Sequence, residues 1–242
     1  MQKYISPFDN DITLNGGYLY TTNAAISSRM ANDRLTKATL QTVSLTNKKV
    51  IDIGCGDGSY TYELSKLGSP EYILGIDASK KAITLAQTLY KNQPKINFSF
   101  ANIYNLSKTR DNFDLAIVRG VIHHVLYPEK AIFSIAKVAK NVIILEPNGH
   151  NPLLKIVEKV SLYHRIHKEK SYSPKIIRHW LNAAGFEVVK DSYVGFVPFF
   201  CPEGMAIAMK KMEKHLENQP LLARLFCAVY VVLARNSKNA KT

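Results

Sequence analysis

The sequence predicts an α/β fold built on a parallel β-sheet, because short apolar runs alternate with amphipathic segments from residue 48 onward. Strands are predicted at 49–54, 72–77, 96–101, 113–118, 141–146 and 186–194, and helices at 59–67, 79–91, about 128–139, 153–168 and 174–184. A glycine-rich turn between the first strand and the first helix of this series supports the same fold. Alternation at this spacing implies right-handed crossover connections and a ligand crevice at the carboxyl ends of the strands.

The glycine-rich turn lies in the run from Val50 to Ser59, which reads Val-Ile-Asp-Ile-Gly-Cys-Gly-Asp-Gly-Ser. Such a turn leaves backbone N–H groups at a helix N-terminus, where they suit a ligand with anionic or hydrogen-bond-accepting groups. The next predicted strand ends at Asp77, 19 residues after Gly58. A carboxylate in that position can accept both hydroxyls of a ribose. Together the turn and the acid predict a nucleoside-containing cofactor.

Size and composition indicate a single globular domain with additions. The 242 residues suffice for one sizeable core, and 46% hydrophobic with 21% charged residues is typical of soluble proteins. No stretch of eighteen apolar residues predicts a membrane span, and an N-terminus with Asp9 and Asp11 argues against a secretory signal. The three scattered cysteines, Cys55, Cys201 and Cys227, favour a reduced, cytoplasmic setting without a metal site.

The net charge of +13 is concentrated toward the C-terminus. Residues 151–242 hold 15 Lys and Arg against 7 Asp and Glu, whereas residues 1–150 hold 17 against 12. This excess fits RNA, an acidic substrate or an anionic membrane surface. An ordinary soluble basic surface explains it equally well.

The motifs resemble those of class I S-adenosylmethionine-dependent methyltransferases over residues 48–235. The run from Asp52 to Gly58 is similar to the first motif of that family, and Asp77 to its ribose-binding acid. A nicotinamide-dependent dehydrogenase, the nearest competitor, would need its third glycine at Ser59, where this chain has it one residue earlier.

The resemblance implies a Rossmann-like seven-stranded, mostly parallel sheet with an antiparallel last strand. It also predicts the organisation of the chain: a helical cap at 1–47, the methyltransferase domain at 48–235 with a helical lid inserted at about 148–172, strand seven at 225–233, and a polar tail at 236–242.

The resemblance further assigns residues to the cofactor, S-adenosyl-L-methionine: Asp52, Gly54, Cys55, Gly56, Asp77, Ala78, Asn102, Ile103, Arg119 and Arg29. Asn102 stands where the family usually has Asp, and its amide can still donate and accept toward adenine. At Arg119 the backbone, more than the guanidinium, is expected beside the methionine half. Arg29 is a candidate bidentate partner for the cofactor carboxylate, with an ordinary surface arginine as the alternative.

Candidate catalytic residues follow the fourth predicted strand. His123 and His124 lie near the expected crevice mouth, where an imidazole can take a proton from the methyl acceptor. Packing against the next helix is the alternative for either one. Tyr18, in the N-terminal cap, is a candidate partner for a histidine if the cap folds over the crevice, and plain packing of the cap is the alternative.

Candidate acceptor-binding residues are Tyr20 in the cap and Glu146 and His150 at the rim after the fifth strand. A turn-stabilising role is the alternative for Glu146. The predicted lid helix that follows is amphipathic and basic, which suits an acidic acceptor or a bilayer surface, and equally a solvated helix with buried leucines.

The sequence therefore predicts a cytoplasmic methyltransferase acting on an oxygen or nitrogen of a small molecule, with anionic, sugar-linked and lipid-linked acceptors all left open. One alternative is an RNA (tRNA) methyltransferase using the basic surface, although nucleic acid is the less favoured partner because no RNA-binding module or catalytic Cys motif is recognisable. A non-catalytic S-adenosylmethionine-binding protein is another alternative. Peripheral contact with a membrane surface remains compatible with the sequence, and neither the acceptor nor the oligomeric state follows from it.

Overall fold

The computed structural model describes residues 21, 25–109, 112–160, 170–199 and 201–237. Its centre is one seven-stranded sheet in the order β3-β2-β1-β4-β5-β7-β6. The strands are β1 (Lys49–Ile53), β2 (Tyr72–Asp77), β3 (Ile96–Phe100), β4 (Leu115–Arg119), β5 (Asn141–Pro147), β6 (Phe186–Val194) and β7 (Val229–Asn236). Strands β1 to β5 pair in parallel, and β7 is antiparallel to both of its neighbours. The predicted Rossmann-like fold with an antiparallel last strand is confirmed.

Eight α-helices surround the sheet in the described part of the chain. They are α1 (Ile26–Thr42), α2 (Ser59–Gly68), α3 (Lys80–Leu89), α4 (Pro128–Ile135), α5 (Pro152–Val160), α6 (Pro174–Ala183), α7 (Glu203–Glu217) and α8 (Pro220–Phe226). Two 3₁₀ segments, Ile103–Thr109 and Ile122–His124, follow β3 and β4. None of the helices described is long and apolar enough to cross a membrane.

The central strands are buried on both faces, which explains their nearly continuous apolar runs. On one face Val50 packs in a cluster with Leu35 of α1, and on the other Ile51 packs in a cluster with Ile132 of α4. Asp52 is buried within this apolar strand. A buried carboxylate at that place marks the end of the sheet where chemistry is expected.

Strand seven differs from its prediction at both ends. Leu225 and Phe226 belong to α8, so the predicted strand at 225–233 was wrong over its first residues, and β7 begins at Val229. The apolar run continues without a break from helix to strand, so hydrophobicity could not mark the boundary. At the other end β7 includes Asn236, whose side chain is 2% exposed and donates to Ala136 O at 2.8 Å. The predicted tail at 236–242 therefore begins inside the sheet.

The predicted cap and lid are described only in part. Helix α1 belongs to the cap, and the hydroxyls of Ser27 and Ser28 donate to Phe199 O at 2.9 and 2.7 Å. The predicted lid helix is α5 up to Val160, while 161–169 lies outside the described residues. Helix α7 was not predicted. It joins α1 through a bidentate contact between Arg34 and Glu217.

Candidate functional site

A cavity of about 760 Å³ opens at the carboxyl ends of β1, β2, β4 and β5. This is where the strand order reverses between β1 and β4, the usual ligand position in an open α/β sheet. The sequence-predicted residues that line it are Asp52, Gly54, Cys55, Gly56, Asp77, Ala78, Asn102, Ile103, Arg119, His123, His124 and Glu146. Most candidates named from sequence therefore meet around one space.

The glycine-rich turn forms one wall of the cavity and requires glycine for two physical reasons. Gly54 and Gly58 have φ of +76° and +81°, a region that L side chains rarely adopt. A Cβ on Gly58 would lie 2.6 Å from the Phe98 ring, and one on Gly54 would lie 2.3 Å from Val121 Cγ2. Gly54 N also donates to Ile76 O at 2.8 Å, which fastens the turn to β2. The turn is thus held in one backbone conformation at the cavity wall.

Asp77 ends β2 with its carboxylate beside this turn. Its Oδ2 accepts from Gly56 N at 3.0 Å, and its Oδ1 accepts from Ser79 N at 2.8 Å. Both contacts fix the orientation of the carboxylate at the cavity wall. Because each carboxylate oxygen can accept more than one hydrogen bond, the group can also receive two neighbouring hydroxyls.

Buried Asp52 and half-buried Arg119 bring opposite charges to the floor of the cavity. Burial raises the pKa of Asp52 to about 6, against the opposing effects of the Thr61 hydroxyl, which donates at 2.5 Å, and of the Arg119 charge. Burial lowers the pKa of Arg119, which nevertheless stays a cation because guanidinium is so strongly basic. The floor of the cavity therefore carries both signs of charge.

The Arg119 guanidinium is held by helix α1 and by an aromatic ring. Its Cζ lies 3.8 Å from the centroid of Tyr60. Its two terminal nitrogens donate to Thr36 Oγ1 at 3.1 Å and to Asn32 Oδ1 at 2.9 Å. Sequence reasoning named none of these three partners, although Asn32 and Thr36 are polar residues one helical turn apart.

His123 and Glu146 form the most specific polar arrangement in the cavity. Glu146, at the end of β5, is 1% exposed. Its Oε1 accepts from the backbone N–H groups of Val121 and Ile122 at 2.8 and 2.7 Å. Its Oε2 accepts from His123 N at 3.2 Å and lies 2.7 Å from His123 Nδ1. Since a carboxylate accepts, Nδ1 carries the proton in the neutral ring, and Nε2 is the basic nitrogen.

Two described candidates named from sequence, Arg29 and His150, do not line the cavity. Arg29 is exposed on α1 and does not line it. His150 also lies outside the lining, where its Nδ1 accepts from Arg224 Nε at 3.1 Å. Tyr18 and Tyr20 lie outside the described residues.

The side of the cavity away from the glycine turn is mostly apolar. Its lining includes Val125, Leu126, Tyr127, Lys130, Leu154, Glu158, Ser171 and Phe199, none of which was singled out from sequence as an acceptor-site residue. The His124 ring also lies here, with its centroid 3.8 Å from that of His123. These residues come from the turn after β4, from α4 and α5, and from the segments around Ser171 and Phe199, and no short sequence motif connects them.

A small network of charged hydrogen bonds joins helix α5 to the chain at Ser171 on the wall of the cavity. Lys155 Nζ donates to Ser171 O at 2.8 Å and to Glu158 Oε2 at 3.1 Å. Glu158 Oε1 accepts from Ser171 N at 2.9 Å. Burial acts to raise the pKa of Glu158, but these hydrogen bonds outweigh it and lower the pKa overall. These contacts thereby tie α5 to the chain at Ser171.

The described ranges contain no group of three or more His, Cys, Asp or Glu side chains able to hold a metal ion. The cavity wall itself has features that suit an organic cofactor. The bare backbone of the glycine turn and the fixed Asp77 carboxylate suit a nucleoside, and the cavity is large enough for a drug-sized molecule.

Solved structures with similar folds include several methyltransferases. The chain aligns with a putative methyltransferase of Haloferax volcanii, solved with the Trm112 methyltransferase activator, at a TM-score of 0.68 and 15% identity, covering 95% of this chain and 97% of that one. It aligns with the N-methyltransferase NodS of Bradyrhizobium japonicum, solved with S-adenosyl-L-homocysteine, at a TM-score of 0.65 and 14% identity, covering 97% and 98%. At such identities the likeness concerns the fold.

Sequence comparison identifies the family. The chain is 31% identical over 101 residues to a ubiquinone biosynthesis O-methyltransferase of Coxiella burnetii (strain Dugway 5J108-111). The aligned region covers 41% of this chain and 42% of the relative. The match thus spans about two fifths of that relative's length. The model of the methyltransferase domain family matches residues 44–185, more than half of the chain. The chain therefore belongs to this family and is a class I methyltransferase that uses S-adenosyl-L-methionine as its cofactor, as its motifs predicted.

Proposed function

We propose that this protein transfers the methyl group of S-adenosylmethionine to a hydroxyl oxygen of a small, largely apolar molecule. The observation that carries the proposal is the contact of His123 Nδ1 with the buried Glu146 carboxylate at 2.7 Å, on the wall of the cavity. A hydroxyl is a weak nucleophile until its proton leaves, so oxygen methylation gains most from a positioned base. A neutral amine already has a free lone pair and needs no such base.

The cofactor is assigned to the half of the cavity formed by β1, β2 and β3. Asp77 would accept the two ribose hydroxyls, and the backbone from Gly54 to Gly56 would face the methionine portion. Asn102 and Ile103 would bound the adenine. Because Asn102 Oδ1 accepts from Tyr104 N at 3.0 Å, its NH₂ group is the donor that we assign to a ring nitrogen. When bound, the cofactor supplies an electrophilic methyl group on a sulfonium.

We assign to His123 the removal of the proton from the acceptor hydroxyl. In this mechanism Nε2 takes the proton as the acceptor oxygen forms its new bond, and the imidazolium that results is stabilised by Glu146. Glu146 cannot turn away, because three backbone N–H groups and the imidazole hold both of its oxygens. The chain mainly contributes alignment and exclusion of water to the displacement itself.

The character of the acceptor is inferred from the opposite wall. Val125, Leu126, Leu154 and Phe199 present apolar surface to the cavity. Lys130 lies at the lining with its Nζ 4.6 Å from the Tyr127 ring centroid, and it is the cation that we assign to an anionic group on acceptors that carry one. The name of the Coxiella relative also supports an oxygen acceptor.

The proposal is tested by incubating the protein with methyl-labelled S-adenosylmethionine and paired aromatic compounds that differ only in carrying a hydroxyl or an amine. We expect labelled ethers from the hydroxylated members. Products labelled only on nitrogen would overturn the oxygen assignment. Cofactor binding without product from any member of a broad panel would favour the non-catalytic alternative.

A further inference from the structure

Helix α5 turns an apolar stripe away from the protein. Leu153, Ile156, Val157 and Val160 follow one another at intervals of three, one and three residues, so they occupy one face of the helix. All four are among the exposed large hydrophobic residues, between 38% and 72% exposed, and no residue of α5 is buried. An amphipathic helix in a globular protein normally turns such a face inward.

The neighbouring helix α8 also exposes apolar side chains. Leu221, Leu222 and Phe226 are 68%, 40% and 38% exposed. The two helices are in contact, and Asn151 Nδ2, next to the start of α5, donates to Phe226 O at 3.1 Å. We define the α5–α8 surface by these three residues and the four of the α5 stripe, which are exposed apolar side chains on two helices in contact. Patches of this kind mark interaction sites.

The charges around the α5–α8 surface are basic. Lys155, Lys159 and Arg224 belong to the two helices. The single acid of these helices, Glu158, lines the cavity on the inner side and is engaged by Lys155 and by Ser171 N. The chain as a whole carries a net charge of +13. An apolar face flanked by cations complements an anionic bilayer, whose acyl region takes apolar side chains and whose headgroups attract lysine and arginine.

We propose that the α5–α8 surface docks this protein peripherally on an anionic membrane. The docking does not depend on the reaction, but it has a consequence for the reaction proposed above. Helix α5 lines the cavity with Leu154 and Glu158 and presents its apolar stripe on another face. A docked α5 therefore lies between the lipid and the acceptor side of the cavity, so that an apolar acceptor stored in the bilayer has a short route to the site.

The test is flotation of the full chain with vesicles of phosphatidylcholine alone or of three parts phosphatidylcholine to one part phosphatidylglycerol. We expect binding to the anionic vesicles at least about tenfold tighter than to the neutral ones, and weaker at high salt. The double variant Ile156→Asp with Val160→Asp should bind the anionic vesicles at least about tenfold more weakly. The matched control is Leu67→Asp with Leu89→Asp, two residues that are 61% and 55% exposed on α2 and α3. It should bind as the unchanged protein does.

Three results would overturn the proposal: no binding of the unchanged protein to anionic vesicles, equal loss in the control, or undiminished binding by the double variant. A dimer in sedimentation equilibrium that the double variant dissolves, with no vesicle binding, would instead assign the surface to a second copy of the chain. Thermal unfolding and S-adenosylhomocysteine affinity report whether the variants fold. If the double variant does not fold, Lys159→Glu serves in its place, and undiminished binding of that variant to anionic vesicles also overturns the proposal.

Discussion

His123 and Glu146 are joined by a 2.7 Å contact between Nδ1 and Oε2 although they stand 23 positions apart in the chain. The pairing follows from the sheet, in which Arg119 of β4 lies opposite Leu145 of β5. Gly120 N donates to Leu145 O at 2.8 Å, so the pairing of β4 with β5 continues one residue beyond Arg119. The turn after β4 therefore meets the end of β5, and the histidine is held by a carboxylate that is itself held by the backbone.

The first prediction concerns this pair. His123→Gln removes the basic nitrogen, so we expect kcat to fall by about a hundredfold or more, while the affinity for S-adenosylhomocysteine stays within about twofold. The measurement is turnover on a hydroxylated acceptor together with calorimetry. His179→Gln, at an exposed histidine of α6 outside the cavity lining, is the control and should be neutral. Equal turnover in both variants would remove His123 as the base.

The second prediction concerns the orienting carboxylate. Glu146→Gln keeps the size of the side chain but removes the charge that stabilises a protonated His123, so kcat should fall while the KM for the acceptor changes little. A merely structural role would instead lower the melting temperature and the cofactor affinity together. Turnover, KM and thermal unfolding of the same preparation separate the two outcomes.

The third prediction concerns the ribose. Asp77→Ala should weaken S-adenosylmethionine binding at least tenfold, or about 1.4 kcal/mol, because charge-assisted hydrogen bonds are lost. Asp77→Asn retains an oxygen that can accept from Gly56 N or Ser79 N, so it should lose less. Calorimetric titration measures both. An unchanged dissociation constant for Asp77→Ala would contradict the assignment of this residue to the cofactor.

The features predictable from the sequence are those whose physical cause is local. Gly58 needs a left-handed backbone and Asp77 ends an apolar run, so spacing alone was enough to identify them. Arg29 shares α1 with Asn32 and Thr36, but Arg29 is exposed while the other two contact Arg119. Which residues of a helix face inward depends on what the helix packs against, and the sequence of α1 alone does not record this. His123 and Glu146 were both named, but their contact depends on the register of two strands, which no short motif records.

The fourth prediction concerns the glycine turn. Gly58→Ala should destabilise the protein by about 1–3 kcal/mol, because its φ is +81° and the new Cβ would lie 2.6 Å from the Phe98 ring. Gly204 is the matched control, since a Cβ there meets nothing within 4 Å and the residue lies in α7. Gly204→Ala should therefore be neutral or stabilising by up to about 1 kcal/mol. Urea denaturation of the two variants gives the comparison, and equal stabilities would contradict the steric argument.

The last prediction concerns pH and Asp52. Burial raises the pKa of this carboxyl from 3.8 to about 6 in the folded protein, so the folded state holds the proton more tightly than the unfolded state. Stability that depends on Asp52 is then fully present below about pH 4 and is lost as the pH rises to about 6 and above. Asp52→Asn resembles the protonated form and can still accept from Thr61. We expect the variant to match the unchanged protein near pH 4 and to exceed its stability by up to about 3 kcal/mol near pH 8.

Urea denaturation across this range measures the difference between the two proteins. Asp33→Asn, at an exposed carboxylate of α1 paired with Lys37, controls for the loss of one negative charge. If the unchanged protein is the more stable one at pH 8, the interaction of Asp52 with the Arg119 cation outweighs the cost of burying the carboxylate. The attraction between these two charges would then stabilise the floor of the cavity, and the pKa of Asp52 would lie lower in the folded protein than in the unfolded chain.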